Sequence, residues 1–350
     1  MKKNKKVPLD IIMVFTERLS SMINAGLPII RCLYTMREQE ENAELKKIIY
    51  GICLDLEGGL SFSEALAKCP HVFSDFYVDL VRAGETGGML DEVLERIAVY
   101  LSKQQYIKRE VKKAFAYPVI VLFAAVLIVG FLTIFIVPVF ADVYRKMGVT
   151  LPIPTIILVS ISKIVGKYWW ALLIFVFSAA AFLKYMYKRR GVRKMIDFVK
   201  LNAPIFGTLN RQISVTRIVR TLAALTTSGI PIMAGLDVVK NISGNIIIAD
   251  LMDDIKEGVR QGNKITDILK GSDLFPPMVV QMISAGEEAG TLENMLNKSA
   301  DLLDRDINYT MSKLVTKLEP ILTTFLAAII GFIAMAIYLP MFDVITGISK

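Results

Sequence analysis

The chain holds a single histidine, His71, and three cysteines, Cys32, Cys53 and Cys69. A Ser-His-Asp or Cys-His centre would have to be built on that one imidazole. Structural zinc is held by closely spaced pairs, and only Cys69 and His71 are near one another, so no metal site is expected. The thiols read as buried free cysteines in a reducing cytosol. No Gly-(x)4-Gly-Lys-Ser/Thr loop occurs; the nearest stretch, Gly258 to Lys264, has the wrong spacing and no following hydroxyl. Neither a catalytic residue nor a cofactor is therefore expected, and any ATP that drives this protein must be hydrolysed elsewhere.

Charge is missing from three long runs. Residues 118–141 and 321–342 carry no charged side chain, and residues 168–187 carry only Lys184, near their end. Each is long enough as a helix, at ~1.5 Å per residue, to cross a bilayer core of ~30 Å. Lys184 can snorkel to the headgroups, and Trp169, Trp170, Tyr185 and Tyr187 form an aromatic belt. The absence of Asp, Glu, Arg and His from these runs counts against solute transport, which generally needs ionisable groups near the midplane. Small residues, Ala327 with Gly331 and Ser178 with Ala179 to Ala181, suit close helix packing instead.

What is present is said twice. Ala25-Gly26-Leu27-Pro28 returns as Ser228-Gly229-Ile230-Pro231, 203 residues on (229 − 26). Ala83-Gly84-Glu85-(x)2-Gly88-(x)-Leu90-Asp91 returns as Ala285-Gly286-Glu287-(x)2-Gly290-(x)-Leu292-Glu293, now at 202 (287 − 85), and Pro118 and Pro138 match Pro320 and Pro340. A shared register over such a length marks a duplicated unit. Both copies can lie on one side of a membrane only if an even number of crossings separates them, which gives the unrepeated run 168–187 its purpose.

Basic residues cluster before the first run (Lys103, Lys108, Arg109, Lys112, Lys113) and after the second (Lys188, Arg189, Arg190, Arg193, Lys194). By the positive-inside rule both polar domains are cytoplasmic and the C-terminal tail is outside. The boundaries expected are a basic tail 1–7, a helical domain 8–117, a span 118–141, an extracytoplasmic loop 142–167, a span 168–187, a second domain 188–319, a span 320–342 and a tail 343–350. The net charge of +8 is accounted for by these flanks and anionic headgroups; no basic stripe interleaved with aromatics occurs, so nucleic acid is not an expected partner. Asp10, Glu17 and Arg18 break the segment after Met1 to Lys6, which excludes a signal peptide.

The polar domains show helical periodicity and no strand alternation: Ile11, Ile12, Phe15, Leu19, Met22 and Ile23 share a face, as do Leu90, Val93, Leu94, Ile97 and Leu101. Gly26 with Pro28 stops one helix and starts the next, and Ser61-Phe62-Ser63-Glu64 has capping-box spacing. The expected fold is an all-α membrane protein with two homologous helical bundles and three transmembrane helices. For the Gly-Glu element two readings stand. Gly84 and Gly286 permit a left-handed or close-packed turn, with Glu85 and Glu287 in or near the first turn of the next helix, where its positive end favours a carboxylate; or the glutamates belong to a partner surface.

These residues carry a resemblance. The two Gly-Pro corners, the two Gly-Glu elements and the Tyr117-Pro118 and Glu319-Pro320 entries into apolar runs resemble the type II secretion F-domain family, the inner-membrane platforms of type II secretion systems, type IV pili and competence pseudopili. The resemblance covers nearly the whole chain, although many members have a longer segment before the first domain. It implies a bacterial inner-membrane location, a non-enzymatic platform, and as partners a hexameric cytoplasmic ATPase, pilin or pseudopilin subunits, other assembly components and further copies of itself. Gly26, Pro28, Gly84, Glu85, Gly88, Gly229, Pro231, Gly286, Glu287 and Gly290 are then expected as architecture and contact surface. Rival readings are a competence pseudopilus platform of a Gram-positive bacterium and a small membrane transporter.

Overall fold

The computed structural model describes residues 7–146, 153–187, 189–204 and 206–348, and among these the regular structure is helix, joined by turns, with no strand. They divide into a polar unit, the described residues of Met1–Glu110 and Lys194–Thr310, and an apolar unit, those of Val111–Arg193 and Met311–Lys350.

The polar unit opens with α1 (Leu9–Asn24), α2 (Ile29–Gln39), α3 (Ala43–Glu57), α4 (Phe62–Ala67), α5 (Asp75–Gly87) and the beginning of α6 (Leu90–Phe131). Their amphipathic faces close on one core that includes Phe15, Leu19, Leu33, Ile49, Phe62, Phe73, Leu80 and Leu94. The apolar unit takes the rest of α6, a wider turn at Leu132–Ile136, α7 (Val137–Lys146) and α8 (Ile153–Met186). After α9 (Arg190–Asn202) come α10 (Gly207–Thr227), α11 (Ile232–Ile242), α12 (Ile246–Arg260), α13 (Ile265–Leu269), α14 (Pro277–Ala289) and α15 (Leu292–Ile348). From α10 to the start of α15, Val219, Val239, Ile255, Val279, Ile283 and Leu303 line a second core. α2 and α11 each have 11 residues, α3 and α12 have 15, and α5 and α14 have 13.

The capping box expected at Ser61 is formed. Ser61 Oγ accepts from the Glu64 N–H and the Glu64 carboxylate accepts from the Ser61 N–H. These bonds hold the Glu64 carboxyl below its usual range.

Among the described residues two helices, Leu90–Phe140 and Leu292–Ala336, are long and apolar enough to cross a membrane. Both begin in the polar unit, so α6 runs through residues 117 and 118 without a break, and Pro118 is tolerated inside it. The third apolar run is helical within α8, which kinks at Tyr168 (φ −116°, ψ 16°), the residue where that run starts. Trp170 Nε1 donates to the Lys167 carbonyl beside the kink, at 3.1 Å.

The segment 142–167, expected as a loop, is helical at 142–146 and 153–167. Within the apolar unit Leu158 is buried with Val137, Ile333 and Ala336. The reason lies in composition: from Gly148 to Ser162 there is no charge, and Ile and Leu dominate. Hydroxyls lock this packing. Thr155 Oγ1 donates to the Ala336 carbonyl and Ser162 Oγ to the Thr133 carbonyl, both at 2.6 Å. The second bond has a specific cause. In the wider turn the carbonyl of residue i is reached by the N–H of residue i+5, as Val137 N donates to Leu132 O. For Thr133 that residue is Pro138, which has no N–H.

Ser162→Ala should therefore lower the unfolding free energy in mixed micelles by about 0.6–1.7 kcal/mol, the range for interhelical hydrogen bonds in bilayers. Ser160→Ala, whose hydroxyl bonds only to the Ile156 carbonyl of its own helix, should change it much less. Equal effects would show that the Thr133 carbonyl does not need its partner.

Candidate functional site

The Gly-Glu elements lie at the corner where three helices meet. Glu85 and Glu287 do not sit in the first turn of the following helix, as the spacing suggested; α5 and α14 continue through them to Gly87 and Ala289. Each carboxylate instead reaches back to the start of the short helix before its own. Glu85 accepts from Phe62 N at 2.5 Å and Ser63 N at 2.9 Å. Glu287 accepts from Ile265 N at 2.8 Å and from Thr266 N at 3.2 Å, and also from Thr266 Oγ1 at 2.7 Å. Those N–H groups are orphans of a helix start, and the helix dipole adds to the attraction.

The glycines make the corner possible. Gly84 and Gly286 are helical and buried, without the left-handed backbone that was one expectation for them. A Cβ on Gly84 would lie 3.0 Å from Val93 Cβ, and one on Gly286 2.9 Å from Met295 Cβ and 3.0 Å from Leu292 Cα. The left-handed residues are Gly88 (φ 68°) and Gly290 (φ 67°), which end α5 and α14. Gly26 (φ 80°) and Gly229 (φ 76°) end α1 and α10 in the same region, while Pro28 and Pro231 supply the extended residue before α2 and α11. The ten candidate residues thus fall into four corners, two in each half of the polar unit, and no corner assembles a nucleophile with a base.

A second set was not singled out from sequence. Arg96 on α6 donates to the Thr227 carbonyl at 2.6 Å and to Ser228 Oγ at 3.3 Å. Tyr100 and Thr221 hydroxyls meet at 2.9 Å. Arg220 pairs with Asp304 at 2.6 Å and Asp301 at 3.3 Å, with Lys103 beyond. Arg220 and Asp304 side chains are only 12% and 11% exposed. Burial pushes the Asp304 carboxyl up, against the pull of Arg220 and Lys103. Two residues of the second half, Leu225 and Val238, are buried in the first core. These positions escape a search for repeats because each differs between the halves: Tyr100 corresponds to Leu302 and Thr221 to Arg18. A comparison of the halves for changes of chemical character would have found Tyr100, Arg220 and Asp304, whose counterparts are Leu302, Glu17 and Ser102.

Cys32 and Cys53 are buried, Cys69 is partly so, and burial pushes all three thiols up. His71 is partly buried between α4 and α5.

Two polar helical halves, each ending in a helix that continues as one long and apolar enough to cross a membrane, define the class of helical protein. The chain belongs to the type II secretion system protein F family, whose model matches residues 15–138 and residues 218–340. It is 35% identical over 338 residues to the type IV pilus assembly protein PilC of Myxococcus xanthus, covering 97% of this chain and 81% of that one. It is 36% identical to PilC of Thermus thermophilus (96% and 83% covered) and 30% identical to the type II secretion system protein F of Vibrio cholerae (96% and 83%).

The two glutamates should not be equivalent. α4 has the Ser61 cap in addition to Glu85, whereas α13 starts at Lys264 with no side-chain cap. Hydrogen bonds to a charged group contribute ~1.5–3 kcal/mol, so Glu287→Gln is expected to cost about 1–3 kcal/mol and Glu85→Gln clearly less. Urea unfolding monitored by helix content checks the order. A larger loss for Glu85→Gln would mean that Glu287 is not the main cap of α13.

Proposed function

We propose that this chain is a non-catalytic platform of the bacterial inner membrane, built from a duplicated unit. It would couple a hexameric cytoplasmic ATPase to the assembly of pilin or pseudopilin subunits, and so to pilus growth or protein secretion. The observation that carries the reading is the family match on two segments, each covering a polar half and the apolar helix that follows it. Its relatives are named for type IV pilus assembly and for type II secretion. The coincidence of helix lengths and of corner geometry in the two halves supports the duplication.

In this reading 118–141, 168–187 and 320–342 cross the membrane, 8–117 and 188–319 face the cytoplasm, and 343–350 lie outside. The ATPase docks on the cytoplasmic domains, whose corners at Gly26/Pro28, Gly84/Glu85/Gly88 and their counterparts hold the docking surfaces in shape. A pilin-like helix would meet the apolar unit. A cleft of about 290 Å³ there, lined by Ala125, Val129, Gly130, Leu322 and Phe325, has little polar surface and is suited to an apolar helix. Just past α8, α9 exposes Met195, Phe198 and Val199 next to Arg190 and Lys194, the pattern of a helix lying in the headgroup region of an anionic leaflet.

Chromosomal deletion should abolish surface filaments or secretion while leaving the ATPase and the subunits in place, and the purified chain should hydrolyse no ATP. Topology is tested with an impermeant thiol reagent on intact spheroplasts: Gly148→Cys is expected to label, and Lys47→Cys and Glu257→Cys only after lysis. Labelling of Glu257→Cys from outside would overturn the even number of crossings. Normal filaments and normal secretion in the deletion strain would overturn the platform reading.

A further inference from the structure

The two halves of the polar unit meet through different faces. The first half presents α5 and α6, with Phe76 and Tyr100 buried and Arg96 reaching across. The second presents α10 and α11, with Leu225 buried, Ile230 packed on the first core and the Thr227 carbonyl accepting from Arg96. Contact between like units through unlike faces is heterologous, and it leaves one face of each kind unused. On the second half the equivalents of the covered α5–α6 face lie in the open: Met278, 58% exposed, stands at the position of Phe76, and exposed Lys298 at that of Arg96. On the first half, Asn24 at the position of Thr227 is exposed, and Met22 and Leu27, at those of Leu225 and Ile230, are partly so.

We propose that a second copy of this chain covers these faces, α14–α15 of one copy docking on α1–α2 of the next and repeating between chains the contact made within each. The inference rests on the duplication argued above. The chemistry of the unused faces matches that of the used ones. α1 ends without a basic residue in its last turn, and the negative end of a helix attracts a cation; Lys298 would supply it as Arg96 does for α10. Met278 would meet Met22 and Leu27 as Phe76 and its neighbours meet the second half. The hydrogen-bonded pair Tyr100 and Thr221 is replaced by Leu302 and Arg18, so the contact between chains is weaker than the internal one and depends on confinement of the copies in one membrane.

The test uses full-length protein in its membrane, with Cys69→Ala to remove the one accessible thiol. Two versions with different tags are co-expressed, one Asn24→Cys and the other Lys298→Cys, and treated with a short bis-maleimide. A mixed-tag product several-fold above that from either variant alone is expected. As a control, Arg96→Cys with Thr227→Cys in one chain reports the internal contact by an intramolecular link. If that link forms and no mixed-tag product does, the inference fails while the duplication stands; if neither forms, the head-to-tail arrangement falls and the inference with it. Lys298→Cys joining to itself, or only to a different protein, would also overturn the inference.

Discussion

Each half of the polar unit is held by one close approach, that of Gly84 to Val93 and of Gly286 to Met295. Adding a methyl group there would force α5 from α6, or α14 from α15, and overpacking of this kind typically costs ~1–3 kcal/mol. The consequence reaches further than the two helices in contact. Glu85 and Glu287 are the next residues along, and their carboxylates can reach the starts of α4 and α13 only while the corner stays closed. Helices of six and five residues do not form alone. They exist because a carboxylate takes their first N–H groups and because Phe62, Leu66, Ile265 and Leu269 are buried. Glycine, glutamate and the short helix are therefore one device.

Much of this was legible in the sequence, and what was not has a physical cause. The helix stops at Gly26 and Gly229 and the capping box at Ser61 follow from local backbone chemistry, which short spacings record. The glutamates were recognised as acids near a helix N-terminus but given to the wrong helix. A spacing of two or three residues suggests a cap on the next helix, whereas the real partners, Phe62 and Ser63, lie 23 and 22 residues earlier. The segment 142–167 was expected as a loop because it lies between two expected spans. It is helical where described, because a short apolar segment can bury itself against other helices without crossing.

The apolar unit obeys a stricter rule than the polar one. A carbonyl without a donor costs several kcal/mol in hydrocarbon, so the wider turn before Pro138 required an answer from another helix. Ser162 provides it. Thr155, bonded to the Ala336 carbonyl, ties the same helix to α15. Two hydroxyls in an otherwise apolar setting thus decide which helices adjoin, where dispersion alone would favour many arrangements almost equally. Small residues permit the approach, and hydroxyls specify it.

Two like halves carry two copies of every surface, and a heterologous contact between them uses one face of the first and a different face of the second. Tyr100, Arg220 and Asp304 have Leu302, Glu17 and Ser102 as counterparts and differ in character, whereas Arg96 and Lys103 have the equally basic Lys298 and Arg305. Burying Arg220 and Asp304 together is tolerable because each answers the other's charge; removing one alone would leave a buried charge, at a cost of ~3–5 kcal/mol. Both lie in the second half, on α10 and α15; across to the first half, Lys103 faces Asp304 at 3.8 Å, and Arg96 and Tyr100 bond to Thr227 and Thr221. The corner residues perform the same task in both halves and stay alike, while the residues that join the halves perform a task only one side can perform. Likeness between the halves therefore marks what shapes each of them, and difference marks what joins them.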